Sequence, residues 1–314
     1  MNQDQLIDTL AGSASTAAAI TQADVIALAP PSLDEARARA QRFLNVLQEQ
    51  DLCSHDRADW NVRDDHTLIQ LAQGARAIVY HASGALRFVS GLAPLEGLFG
   101  KVEEREALLR HIEGLAKRLD VAAWAGERAE LRFERLWLSK AQGADRNDRR
   151  SEAVLVRAVG AYRQYLGGLP VLGAASAALK LAGDGQLDGL AIHMRAGSGE
   201  VLDTPALLAP ELGARQLVLQ LLSVLGRARN RLPDDVVQSA TMQLGYLDLG
   251  KRKVQRVLAP VYVAQIVLKH EMERQAYVLA VPATEQAYQP LPLYGTEAVI
   301  TRSRANAPCA DSLR

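Results

Sequence analysis

Cysteine is nearly absent: Cys53 and Cys309 are the two in 314 residues. Neither has a second ligand near it at zinc spacing. This excludes a disulfide-stapled scaffold and a cysteine-rich metal module, and it reads both thiols as free and inert. An excess of one charge sign is missing as well. Lys+Arg and Asp+Glu both count 36, for a formal net charge of +0. A dedicated nucleic-acid binder would leave a basic footprint, and none is there. No apolar run reaches about 18 residues, which excludes a transmembrane helix and membrane insertion through one.

A basic leading segment is also lacking. The first charges are Asp4 and Asp8, and the stretch from Ala11 to Ile20 is too polar for a signal core. The expected location is the cytoplasm if Met1 is the native start, and outside it if a leader has been removed. Catalytic fingerprints are missing too, since neither a Gly-x-Ser-x-Gly elbow nor a Gly-x-Gly-x-x-Gly loop occurs. His270-Glu271-Met272-Glu273-Arg274 fails as a zinc helix because Arg274 stands where the second histidine must be. Gly245 to Lys251 matches a phosphate-binding loop only as far as the lysine, because Arg252 replaces the magnesium-binding hydroxyl. His55, Asp56, Asp59, Asp64, Asp65 and His66 are dense in potential metal ligands. Their spacing fits no known loop, however, and Arg57 and Arg63 intervene. Lys251, Arg252, Lys253 and Arg256 read as a charged hairpin edge protected from aggregation, not an RNA surface. No metal and no cofactor is implied.

What is present is an apolar share of 48%, ample for a packed core, and a recurring order of elements. Residues 1–31 read as a flexible leader ending in Pro30-Pro31. Ser32 with Glu35 forms a capping box, and Ala36, Ala40, Phe43, Leu44 and Leu47 follow at helical spacing. After a charged segment, ARAIVYHA and ALRFVSG predict a hairpin around Ser83-Gly84. A second helix over about Val102 to Leu119 precedes the strands ELRFERLWLS and EAVLVRAVGAYRQYL. AASAALKLA and LDGLAIHMR follow, joined at Asp184-Gly185. A third helix opens at Pro210 and leads into three more strands. Helix followed by antiparallel strands, repeated about three times, predicts an α+β fold. The expected modules are 32–100, 101–200 and 201–290, with a tail over 291–314.

Within the second round, residues 161–187 read AYRQYLGGLPVLGAASAALKLAGDGQL. Gly168 and Gly173 permit backbone angles that a Cβ forbids, and Pro170 fixes φ, so together they break and redirect a long strand. Tyr162, Gln164 and Tyr165 precede this turn, and Asp184-Gly185 closes a hairpin after it. The segment resembles the core motif of the fungalysin/thermolysin propeptide domain and of its relative, the PepSY domain. The resemblance implies helix-on-sheet modules of cystatin-like form that bind a protein partner as inhibitor or folding chaperone. Members of that family usually precede a metallopeptidase and are exported.

Period-two alternation gives one more candidate. Leu190, Ile192 and Met194 share a face beneath a helix, whereas His193 and Arg195 point the other way. Arg163 and Tyr165 share a face by the same rule. If the two faces adjoin, they build a binding wall in which arginine would favour carboxylates. The leading expectation is a non-catalytic protein that engages a protein or peptide through a sheet face or edge, with a small-molecule ligand as a further option. The alternative is a cofactor-independent enzyme that encloses a small molecule between curled sheets, with His193 and Arg195 as its acid/base pair.

Overall fold

The computed structural model describes residues 2–14, 20–53, 58–93, 96–99, 104–195, 197–226, 236–270 and 273–291. In chain order the elements are α1 (Gln3–Ala14), β1 (Val25–Leu28), α2 (Leu33–Glu49), β2 (Asp59–Val62), β3 (His66–Gln70), β4 (Arg76–Tyr80), β5 (Leu86–Val89) and α3 (Arg105–Arg118). Then come β6 (Ala129–Ala141), β7 (Val154–Leu166), β8 (Leu169–Leu172), β9 (Ala177–Leu181), β10 (Leu187–Ile192) and β11 (Gly197–Asp203). The chain continues with α4 (Pro210–Val224), β12 (Val237–Leu247), β13 (Val257–Leu258), β14 (Pro260–His270) and β15 (Glu273–Pro282). The fold is mixed α+β with mostly antiparallel sheets. Among the described residues, no helix is long and apolar enough to cross a membrane.

The chain divides into two compact units. The larger comprises Gln22–Ala206 and Gly245–Pro260; the smaller comprises Met1–Thr21, Leu207–Leu244 and Val261–Arg314. In the larger unit, Ser32 and Glu35 form the expected reciprocal cap of α2. The stripe from Ala36 to Leu47 is buried against the sheet, and Leu108, Ile112 and Leu115 of α3 bury beside it. Phe43 meets Trp124 edge-on at 5.9 Å. Each such fully buried Leu or Phe contributes about 1.5–3 kcal/mol by leaving water. The alternation in β10 gives the expected result, with Leu190, Ile192 and Met194 at 3%, 0% and 2% exposure.

The sheet of this unit runs β8-β7-β9-β10-β5-β4-β3-β2. The β5–β10 pairing joins the expected modules 32–100 and 101–200 into one sheet, Leu190 lying opposite Phe88. The predicted hairpins β4–β5 and β9–β10 both form. The charged segment before the first hairpin contains a strand of its own, β2, which pairs with β3 along Asp59–Val62. Gly160 of β7 faces both Leu136 of β6 and Leu179 of β9, so β6 lies on the opposite side of β7 from β9. A second, three-stranded sheet has the order β11-β1-β13.

The turn motif folds as its residues require. Gly167 and Gly168 (φ +54° and +83°) make a two-residue loop between paired Leu166 and Leu169. Positive φ at both centres is the type I′ signature. Gly173, at φ +118°, then releases the chain from β8 toward β9, and a Cβ there would stand 3.0 Å from the Asp248 carbonyl oxygen.

The smaller unit has the sheet order β15-β14-β12, with α4 against β15 and α1 against α4. It corrects the expectation of a flexible leader over residues 1–31. Leu6 and Leu10 of α1 are fully buried and Ala14 nearly so. Their four-residue spacing is helical, but a stripe of two leucines and an alanine is a weak signal in an alanine-rich segment. Val25–Leu28, also inside the expected leader, is the central strand of the larger unit's small sheet. The expected module 201–290 is likewise divided, because Gly245–Pro260 belongs to the larger unit. Of the expected tail 291–314, all but residue 291 lies outside the described residues.

Candidate binding site

Inside the larger unit, a pocket of about 460 Å³ opens between the three-stranded sheet and the turn region of β7, β8 and β10. Ile26, Leu28 and Leu258 line it from the small sheet. Gln164, Leu166, Ser176 and Met194 line it from the other side, and Tyr246 and Asp248 follow from the end of β12. The parallel pairing of Tyr246 with Val171 brings the end of β12 to this place.

His193 and Arg195, in the segment just after β10, both line the pocket, together with Met194 from the face expected to be opposite; Arg163 and Tyr165 do not line it. The two faces do not adjoin, because β9 stands between β7 and β10. Arg163 instead donates through Nη1 to the carbonyls of Val171 and Ala174, at 2.9 Å each. Its Nη2 meets both Glu134 oxygens, at 2.9 and 2.8 Å. It therefore locks the Gly168–Pro170–Gly173 turn to β6. Tyr165 lies under the Arg132 guanidinium at 4.4 Å.

Arg195 is committed to structure as well. Nε donates to Asp248 Oδ1 at 2.7 Å, Nη1 to the Lys253 carbonyl at 3.0 Å and Nη2 to the Gly250 carbonyl at 2.6 Å. These bonds fasten the loop after β12, which corrects the expectation that Arg195 is a free carboxylate receptor. The same loop accounts for the basic group at 251–256. It connects β12 to β13 and is not a hairpin edge; Lys251 lies over Tyr80 at 4.6 Å and Arg252 pairs with Asp65 at 2.8 Å. Of the dense histidine and aspartate segment, His55 and Asp56 lie outside the described residues. Among the described residues no group of His, Cys, Asp or Glu is placed to hold a metal.

His193 has a defined tautomer. Its Nδ1 sits 2.9 Å from the Ala175 carbonyl oxygen; a carbonyl only accepts, so Nδ1 carries the hydrogen and Nε2 keeps its lone pair. Burial lowers the ring's pKa most, with Lys251 and Arg87 adding to the effect and the Ala175 bond and Asp248 opposing it. The native ring is thus harder to protonate than an unfolded one, which titrates near about 6.5. Acidification below that value favours the unfolded state, and stability falls until the lowered native pKa is passed. Urea midpoints at mildly alkaline and mildly acidic pH should show a smaller drop in His193→Gln than in wild type. An equal drop would refute this assignment.

The sequence reading missed Gln164 and Ser176 as lining residues. Gln164 Nε2 donates to the Ala125 carbonyl at 2.8 Å, and its backbone N–H donates to Ser176 Oγ at 2.9 Å. A signal for Gln164 was available, since it is an amide on the strand face otherwise formed by Ala158, Gly160, Tyr162 and Leu166. Asp248 and Tyr246 carried no local signal, because only the β8–β12 pairing brings them in.

The outer edge of β6 is the second candidate surface. This strand of 13 residues pairs with β7 along its length and, among the described residues, with no strand on its other side. Register irregularities lie between Phe133 and Arg135 and between Ser139 and Lys140. Between them the run Arg135–Ser139 is regular and carries Trp137 and Leu138, 45% and 42% exposed. No family model matches this chain, and comparison with curated proteins finds no similar one.

Proposed function

We propose that this protein is a non-catalytic binding protein that accepts an extended segment of a protein partner along the free edge of β6. The observation that carries this reading is the regular run Arg135–Ser139, with Leu136, Trp137 and Leu138 at its centre, on a strand that among the described residues pairs on one side only. In an antiparallel pair, alternate residues turn their N–H and C=O groups away from the partner strand, and on an edge these await another strand. The bulges on either side and the charges at Arg132, Glu134 and Lys140 guard the rest of the strand against nonspecific pairing. They leave the middle open. Backbone bonds would supply affinity there, and the Trp137 and Leu138 side chains would supply selectivity for apolar residues. The PepSY-like and propeptide-like resemblance agrees in kind, and with it an exported life beside a peptidase belongs to the proposal.

The enzymatic alternative draws on His193 in its pocket. Among the described residues the hydrogen bond of the His193 ring is to the Ala175 carbonyl, and Ser176 Oγ accepts from the Gln164 N–H, so neither bond pairs His193 with a nucleophile. A general base without a positioned nucleophile or acid favours binding over catalysis.

A peptide-display selection on the immobilised protein tests the proposal. It should return segments with an apolar centre whose affinity falls at least about tenfold in the Trp137→Lys, Leu138→Lys double variant. Both side chains are exposed, so the variant keeps its fold. Equal binding by that variant, or no enriched sequences, would contradict the reading.

A further inference from the structure

Several polar groups of the pocket direct donors to the protein itself, while the Ser176 hydroxyl accepts from the Gln164 N–H. His193 Nδ1–H donates to Ala175, Gln164 Nε2 to Ala125, and the Tyr246 hydroxyl to the Asp24 carbonyl at 2.9 Å. Arg195 commits Nε, Nη1 and Nη2 to Asp248, Lys253 and Gly250. Among the described residues, the acceptors left uncommitted are the His193 Nε2 lone pair and the Gln164 carbonyl oxygen; Asp24 Oδ1 already accepts from Thr204 and Asp248 Oδ1 from Arg195 and the Gly250 N–H, each carboxylate keeping its second oxygen. Among the charged lining residues, Asp24, Glu127 and Asp248 face Arg128 and Arg195, a formal balance of −1. The walls are apolar, with Ile26, Leu28, Leu166 and Met194 among them.

A carboxylate ligand would set its lone pairs against those acceptors and leave both sides unsatisfied, which is costly away from water. An ammonium brings three donors and a positive charge to the same groups. We propose that this pocket is a binding site for a small organic amine, its apolar body against Ile26, Leu28, Leu166 and Met194 and its nitrogen toward Gln164 and His193. The volume of about 460 Å³ is that of a small-molecule site. The pocket touches β6 at its first residue, Ala129, away from Arg135–Ser139, so the amine site and the peptide edge stand or fall independently.

Matched probes with one body and opposite charge make the test: tryptamine against indole-3-acetate, and phenethylamine against phenylacetate. By titration calorimetry each amine should bind at least about tenfold more tightly than its acid. In protein carrying ¹³C-methyl methionine, the amines should shift the Met194 signal and leave that of Met242, in the smaller unit, unmoved. Val201 lines the pocket and is 36% exposed, so Val201→Trp can obstruct the pocket without replacing a core residue. That variant should abolish amine binding and keep peptide binding at β6, whereas Trp137→Lys, Leu138→Lys should do the reverse. Acids that bind as tightly as amines, amine binding that ignores Val201→Trp, an unmoved Met194 signal, or no amine binding at millimolar concentration would each overturn the inference.

Discussion

Replacing Asp188 with alanine is expected to destabilise the larger unit by about 3–5 kcal/mol, the cost of leaving a buried charge without its partner. Asp188 and Arg157 face each other at 2.7 Å with side chains 3% and 4% exposed. Arg157 also donates to the carbonyls of Ala93, Val156 and Glu96, and Asp188 accepts from Ser90 Oγ and pairs with Lys180. Burial alone would raise the Asp188 pKa. The bonds from Lys180, Arg157 and Ser90 together outweigh it and hold the carboxyl below its ordinary value. A depressed carboxylate pKa adds stability above the unfolded value of about 3.9, and this is lost as pH falls through the native one. Urea unfolding should therefore show a large loss for Asp188→Ala at neutral pH that narrows toward strongly acidic pH. Replacing both partners, Arg157→Met with Asp188→Leu, should recover most of the loss. A loss below about 1 kcal/mol for the single variant would show that the pair does not matter to the fold.

Replacing Arg195 with alanine should cost nearly as much, about 2–4 kcal/mol, with a local signature. Its guanidinium is 5% exposed and its partner Asp248 11%. Two loop carbonyls lose their donor in the same step. Amide exchange should accelerate over 248–255 well before the sheet opens. A role in binding or proton transfer would instead leave stability and exchange near wild type while removing ligand affinity, and that outcome would reinstate Arg195 as a site residue.

These two networks mark where sequence reading stops. Local rules reached what local chemistry decides: Ser32 and Glu35 cap α2, Leu190 alternates with Ala191, and Gly168 and Gly173 take positive φ. The Arg157–Asp188 pair joins β7 to β10, 31 residues apart, and no periodicity announces such a partner. His193 and Arg195 reach the pocket from the segment just after β10, and Met194 between them lines it too, so strand alternation does not by itself explain their place. Arg163 and Tyr165 would stand beside them only if β7 adjoined β10, and a strand order is set by long-range pairing. Charge was misleading for Arg195, since a guanidinium held by a carboxylate and two carbonyls looks, in sequence, like one free to bind. The helix α1 was hidden for a different reason: its buried face consists of two leucines and small residues.

The central claim is that the edge of β6 is the partner-binding surface, and hydrogen exchange measured with a display-selected peptide tests it most directly. The account predicts slowed exchange in residues 129–141, centred on Arg135–Ser139, and no slowing there in Trp137→Lys, Leu138→Lys. Slowed exchange confined to other strands or to the pocket, with β6 unchanged, would contradict it.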